Sequence, residues 1–143
     1  MPHNPRGAGA NQPQKEKDMI RVTRRFTFEA AHHIVGHEKC GHVHGHSYVL
    51  DVTLKGEPHK ETGMTIDFGL LKELVTDSLI SLVDHKDLNE LFPVTTCEML
   101  LLEFWKILVH DSYFLGQMLS ELRLQETENS WATLSWENVD ASE

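Results

Sequence analysis

Apolar and polar residues alternate with a period of two along four stretches of this chain and recur at helical spacing along two others. From Ile20 to His32 the row Ile20, Val22, Phe26, Phe28, Ala30 and His32 shares one parity, with Thr23, Arg25, Thr27 and Glu29 on the other. Side chains two apart on a strand face the same way, so this reads as a half-buried strand whose apolar row ends in a histidine. Arg24 is the one charge on that row. His44 to Leu54 alternates more cleanly: His44, His46, Tyr48, Leu50, Val52 and Leu54 face one way, Ser47, Asp51 and Thr53 the other. Between the two, Val35 to Val43 is a polar, glycine-containing loop that carries Cys40, and Gly56 to Gly63 reads as a turn.

Helical spacing follows. Asp67 is placed to cap a helix carrying Phe68, Leu71, Leu74, Val75, Leu79, Leu82 and Val83, which ends near Asp84-His85. A second helix opens at Thr95-Thr96-Cys97-Glu98, a sequence that fits a capping box, and runs through Met99, Leu100, Phe104, Trp105 and Leu108. Leu119 to Glu126 and Trp131 to Trp136 alternate again across a turn at 127–130. The stretch Val109 to Met118 matches no motif. The order ββααββ predicts an α+β domain: a four-stranded antiparallel sheet with two helices on one face. Residues 1–18 read as a disordered leader, 19–138 as the domain and 139–143 as an acidic tail.

Composition narrows the function classes. A chain of 143 residues with 40% hydrophobic and 24% charged residues suits one globular domain. A formal net charge of −9 argues against nucleic acid as the main partner. No apolar run has the length of a membrane span, and the N-terminus has no apolar signal core, so no membrane partner and a cytoplasmic location are expected. Cys40 and Cys97 are then expected as free thiols. Of ten histidines, six fall between His32 and His46, and that clustering points to chemistry.

His44 and His46 present side chains to the same face of a strand, about 7 Å apart along it. Two imidazoles so placed can converge on one ion, and His32 has the matching inward parity where His33 does not. Three histidines with an open fourth position make the catalytic form of a zinc site. Read instead as plain core histidines, they would leave buried ring nitrogens in search of partners. Cys40 reads as a fourth ligand that closes the site, as a thiolate near the ion serving as base, or as a small buried cysteine, against which its polar loop argues. Asp84-His85 reads as a carboxylate-oriented histidine or as a histidine favourably placed at a helix C-terminus; neighbours in sequence seldom bond side chain to side chain, which points to a third residue between them. Glu126 ends the row Leu122, Leu124, Glu126: it either faces inward, where a planar ligand edge with two N–H groups would suit it, or turns to solvent. Cys97 and Glu98 read as helix-start residues.

These pieces together resemble a known family. The run Phe26-Thr27-Phe28-Glu29-Ala30-Ala31-His32, then Cys40 and His44-Gly45-His46, Gly63-Met64-Thr65-Ile66-Asp67-Phe68, Asp84-His85-Lys86-Asp87-Leu88-Asn89, Thr96-Cys97-Glu98 and Glu126-Thr127 is similar to the 6-pyruvoyl-tetrahydropterin synthase family, over roughly Met19 to Trp136. Three residues between cysteine and the His-Gly-His triplet resemble its bacterial 6-carboxy-5,6,7,8-tetrahydropterin synthase branch, of the queuosine pathway; the pyruvoyl-forming branch typically has a longer insertion there. The resemblance implies the tunnelling fold, with trimers closing into a barrel, two trimers stacking as a hexamer, and active sites between subunits. It implies Zn2+ on His32, His44 and His46, Cys40 as the proton-abstracting base, and Asp84 with His85 as a second acid/base unit. Glu126 would anchor a pterin ring, with Thr96 near it. The implied substrate is 7,8-dihydroneopterin triphosphate, the implied products triphosphate, acetaldehyde and 6-carboxy-5,6,7,8-tetrahydropterin. The other readings are the pyruvoyl-forming reaction and a non-catalytic zinc- or pterin-binding protein on the same fold. Met99 departs from the family pattern, where many members have Asn, and His33, His37 and His42 offer competing ligands.

Overall fold

The computed structural model describes residues 17–140. Most of the expected leader and tail, residues 1–16 and 141–143, lies outside the described residues.

The two long alternating stretches form strands β1 (Ile20–His32) and β2 (His44–Gly56), paired antiparallel along their whole length. Their register sets Phe26 opposite Leu50, Phe28 opposite Tyr48, Ala30 opposite His46 and His32 opposite His44. Inward row therefore meets inward row, and a one-residue slip would turn every one of these side chains to the wrong face. The chain next forms α1 (Phe68–Val75), a π turn at Thr76–Ile80 and the short α2 (Ser81–Val83). What reads in sequence as one helix is thus broken by a wider turn. Ser78 and Ser81 donate their hydroxyls to the carbonyls of Leu74 and Asp77, at 2.6 and 3.0 Å, the back-bonding that loosens a helical ladder.

A two-residue strand, β3 (Lys86–Asp87), follows and pairs parallel with β1. Then come α3 (Cys97–Asp111), α4 (Tyr113–Met118), β4 (Leu119–Thr127) and β5 (Ser130–Ser135). The described sheet has five strands in the order β3-β1-β2-β4-β5 and is mixed, which corrects the four-stranded antiparallel expectation. A two-residue strand has no period to read. It forms because Asp84 Oδ1 accepts the Glu29 N–H at 3.0 Å and the His85 N–H donates to the Glu29 carbonyl at 2.6 Å, drawing the chain alongside β1.

Two further corrections concern helix starts. Thr96, not Thr95, caps α3, accepting the Met99 N–H at 3.2 Å, so the capping box is not made. The unassigned stretch before β4 holds a further helix, α4, capped by Ser112. Asp67 does cap α1, through the Gly69 N–H at 2.8 Å.

The inward rows of β1, β2 and β4 share one buried cluster with Leu71, Val75, Leu79, Leu100, Phe104 and Leu108 from the helices. Phe28 stacks on Tyr48 at 4.8 Å between ring centroids, and Phe104 meets Phe28 edge-on at 6.0 Å. The other sheet face is polar. Asp51 takes two bonds from Arg25, at 2.8 and 3.0 Å, and one from Arg123 at 3.3 Å, a rung across three strands. No helix among the described residues is long and apolar enough to cross a membrane.

Candidate active site

The β1–β2 register brings His32, His44 and His46 to one end of the inward face. Their ring centroids lie 4.6, 5.0 and 4.9 Å apart, and one ligand atom from each falls within 4.8 Å of the others. Backbone carbonyls select the tautomers. His32 Nδ1–H donates to Thr95 O at 2.9 Å and His44 Nδ1–H to His42 O at 2.7 Å, which leaves each Nε2 with its lone pair free. His32 Nε2 and His46 Nε2 are buried with no hydrogen-bond partner. Burial is the main cause holding His46 below the usual imidazole range, helped by His32 and His44 and opposed by Glu126, so the neutral, ligating form is favoured. Orphaned nitrogens at this spacing fit a metal ion. His33, His37 and His42 do not join the group.

Asn89 and Thr95 brace this end of β1. Asn89 Oδ1 accepts the His33 N–H at 2.9 Å, and its Nδ2 donates to the His33 carbonyl at 3.1 Å, doing for one residue what a neighbouring strand would do. The buried Thr95 hydroxyl lies 3.2 Å from that carbonyl and 3.1 Å from Asn89 Oδ1. The same Thr95 supplies the carbonyl that orients His32. Sequence reading missed both residues as site residues, because only the fold brings them to β1.

Glu126 faces inward rather than to solvent. The pairing of β4 with β5 shifts register between Gln125 and Thr127, so Glu126 sits in a bulge, a device that re-aims a side chain. Its carboxylate lies 4.0 Å from His32 Nε2 and 3.7 Å from His46 Nε2. Glu126 also lines a cavity of about 530 Å³ with Cys40, His37, Thr96, Cys97 and Trp131. Cys40 and Thr96 thus share a wall with the carboxylate that touches the histidine cluster. Cys97 belongs to this wall as well as to the helix start: its Sγ–H donates to Leu124 O at 3.2 Å, and burial, then Glu126, push its thiol up to about 11. Both cysteines are free.

Asp84 and His85 lie elsewhere. They follow α2, and His85 lines a separate groove of about 490 Å³ with Glu29, His46, Ser47 and Lys86. His85 Nδ1 is 3.1 Å from Asp84 Oδ1, a direct contact between neighbours in sequence where an intervening residue was expected. The reason is local: Asp84 is extended and His85 adopts a left-handed φ of 60°, which folds the ring back onto the carboxylate. The Glu29 N–H, and after it His85, hold the Asp84 carboxyl below the usual range.

A sequence profile of the 6-pyruvoyl tetrahydropterin synthase family matches residues 21–137. An Archaeoglobus fulgidus protein, provisionally named 6-carboxy-5,6,7,8-tetrahydropterin synthase, is 37% identical over 119 residues, covering 83% of this chain and 97% of its own. The 6-carboxy-5,6,7,8-tetrahydropterin synthase of Rickettsia bellii is 46% identical over 68 residues, 47% of this chain and 49% of its own. Among solved structures, the 6-pyruvoyl tetrahydropterin synthase of Caenorhabditis elegans superposes with a TM-score of 0.77 at 25% identity, covering 85% of this chain and 99% of that one. The order of strands and helices, the histidine cluster at the end of the inward face and a profile match spanning nearly all the described residues lead to one conclusion: this chain belongs to the 6-pyruvoyl tetrahydropterin synthase family.

Proposed function

We propose that this lyase converts 7,8-dihydroneopterin triphosphate to 6-carboxy-5,6,7,8-tetrahydropterin, releasing triphosphate and acetaldehyde, in the biosynthesis of 7-deazaguanine and queuosine. The observation that carries the reading is the convergence of three imidazoles beside a cavity that Cys40, Thr96 and Glu126 line together. The three-residue spacing from Cys40 to His44, and the names of the Archaeoglobus and Rickettsia relatives, favour the carboxy-forming branch.

His32, His44 and His46 would hold Zn2+, which as a Lewis acid supplies polarisation of the substrate's side-chain oxygens. Glu126 accepts the paired N–H groups of the pterin edge in a fork. Thr96 lies on the same wall and borders the ring. Cys40 takes the proton from the side-chain carbon next to the ring. The electron pair it frees passes into the dihydropterin ring, which is reduced to the tetrahydro level as the side chain is oxidised, and triphosphate leaves from the side chain. His85, oriented by Asp84, serves the second proton transfer, at the side-chain hydroxyls. His85 lines a different groove from Cys40, which supports a reading in which it serves the cavity of a neighbouring protomer of a homo-oligomer with sites between subunits. Cleavage of the side-chain carbon–carbon bond with water then leaves the carboxylate on the ring and frees acetaldehyde.

Product analysis after incubation with 7,8-dihydroneopterin triphosphate tests the branch. A pyruvoyl product without acetaldehyde moves the enzyme to the reaction named for the Caenorhabditis elegans relative. Replacing Cys40 with Ala separates catalysis from simple binding: zinc stays bound and turnover falls by about 10²-fold or more. Loss of zinc along with the thiol would make Cys40 a ligand instead.

A further inference from the structure

The ion position uses three of the six histidines between His32 and His46. His37 makes a different contact. Its Nδ1 accepts the backbone N–H of Cys40 at 2.8 Å. That bond needs a lone pair on Nδ1, so the ring is neutral and carries its proton on Nε2. The loop closes tightly around the contact. The Ile34 N–H donates to Cys40 O at 2.7 Å, and the His37 N–H donates to Ile34 O at 3.2 Å. At Gly41 a Cβ would lie 2.4 Å from the His37 carbonyl oxygen, a separation no side chain tolerates, so the residue after Cys40 must be glycine for the backbone to pass. His37 and Cys40 line the same cavity as Thr96 and Glu126.

We propose that His37 is a positioning residue for Cys40, clamping the Cys40 peptide so that the thiol is presented to the substrate cavity. The proposal rests on Cys40 as the reacting thiol. Its physical basis is that of a helix N-cap, in which a side-chain acceptor takes an N–H a few residues on and removes the local freedom of the chain. No regular structure holds the residues between β1 and β2, so without the clamp the thiol would sample orientations away from the cavity. The tautomer also excludes a second role. With Nδ1 engaged and Nε2 protonated, the ring has no lone pair with which to take the Cys40 proton. His37 orients the base and is not itself one.

The test uses His37→Ala and His37→Asn in the full chain, since an Asn carboxamide oxygen can accept the same N–H. Three quantities are read: kcat and KM with 7,8-dihydroneopterin triphosphate, hydrogen exchange at the Cys40 amide, and bound zinc. For His37→Ala, kcat is expected to fall about 10- to 100-fold with KM within about twofold, the pattern of a misplaced catalytic group. The Cys40 amide is expected to exchange about tenfold faster, as the loss of one hydrogen bond allows. Zinc content should stay unchanged, and His37→Asn should restore both protection and kcat. Restored protection without restored kcat overturns the proposal, because the imidazole would then be doing chemistry. Unchanged protection or unchanged kcat in His37→Ala overturns it too. If Cys40→Ala alone retains turnover, the assignment of Cys40 fails instead, and amide exchange still decides whether the clamp exists.

Discussion

At the scale of single residues, the site is a problem of orientation more than of identity. His32 can offer Nε2 to an ion only if Nδ1 is committed elsewhere, and that commitment is the carbonyl of Thr95, whose hydroxyl donates in turn to Asn89 Oδ1. Removing such outer partners from a metal site typically costs 10- to 100-fold in metal affinity. Asn89→Ala is therefore expected to weaken zinc binding about tenfold, measured by competition with a chelator, while His33→Ala, which keeps its backbone pair with Asn89, changes it less than about twofold. Equal affinities in Asn89→Ala and the parent would dismiss the brace. The inward parity of His32, His44 and His46 was legible in the chain from period two alone. The tautomers were not, because their partners come from residues 42 and 95, and the latter is 63 positions away.

At the scale of elements, the outer face of the sheet depends on charge. Arg25, Asp51 and Arg123 are register partners on β1, β2 and β4. Bonds from Arg25, then the Arg25 charge and the weaker Arg123 contact, hold the Asp51 carboxyl below its usual range against the effect of burial. A carboxyl lowered by folding adds stability that is complete above its unfolded value of about 3.9 and is lost as pH falls through the lower folded value. Asp51→Asn is expected to lower the urea midpoint at pH 7 and to converge on the parent as pH falls through the lowered folded value of Asp51, below which both carry a neutral side chain. A penalty that persists in acid would mean that packing, not charge, is what Asp51 supplies. The four long strands and the start of α1 at its Asp67 cap could be read from alternation and caps; the cap of α3 was read one residue early. The π turn, β3 and the bulge at Glu126 could not, since each is a local irregularity imposed by partners distant in sequence.

At the scale of the whole molecule, one chain holds all the proposed residues but does not gather them at one point. Glu126, Thr96 and Cys40 line one cavity, Glu126 reaching from it to the histidine cluster, and His85 opens onto another groove that His46 also borders. If the second acid/base unit comes from a neighbouring protomer, mixed oligomers can repair themselves. Cys40→Ala and His85→Ala, each inactive alone, should regain about one quarter of parental activity when co-assembled at random, because one site in four then combines an intact Cys40 with an intact His85. Mixtures that stay inactive would return both residues to a single chain's site.

The chain by itself marked the candidate residues and, for those on the long strands, the face they share. A strand's period is two, so parity alone sends His32, His44 and His46 to the face of the apolar rows, while it left Glu126 open between that face and solvent. Tertiary structure decided what a period cannot express. It paired His32 with His44 across two strands, committed the ring nitrogens to particular carbonyls and turned His85 back onto Asp84. It also left Cys40 and His85 in different grooves. Those outcomes rest on hydrogen bonds and close contacts between segments far apart in sequence, and such contacts exist only once the inward faces have closed on a common core.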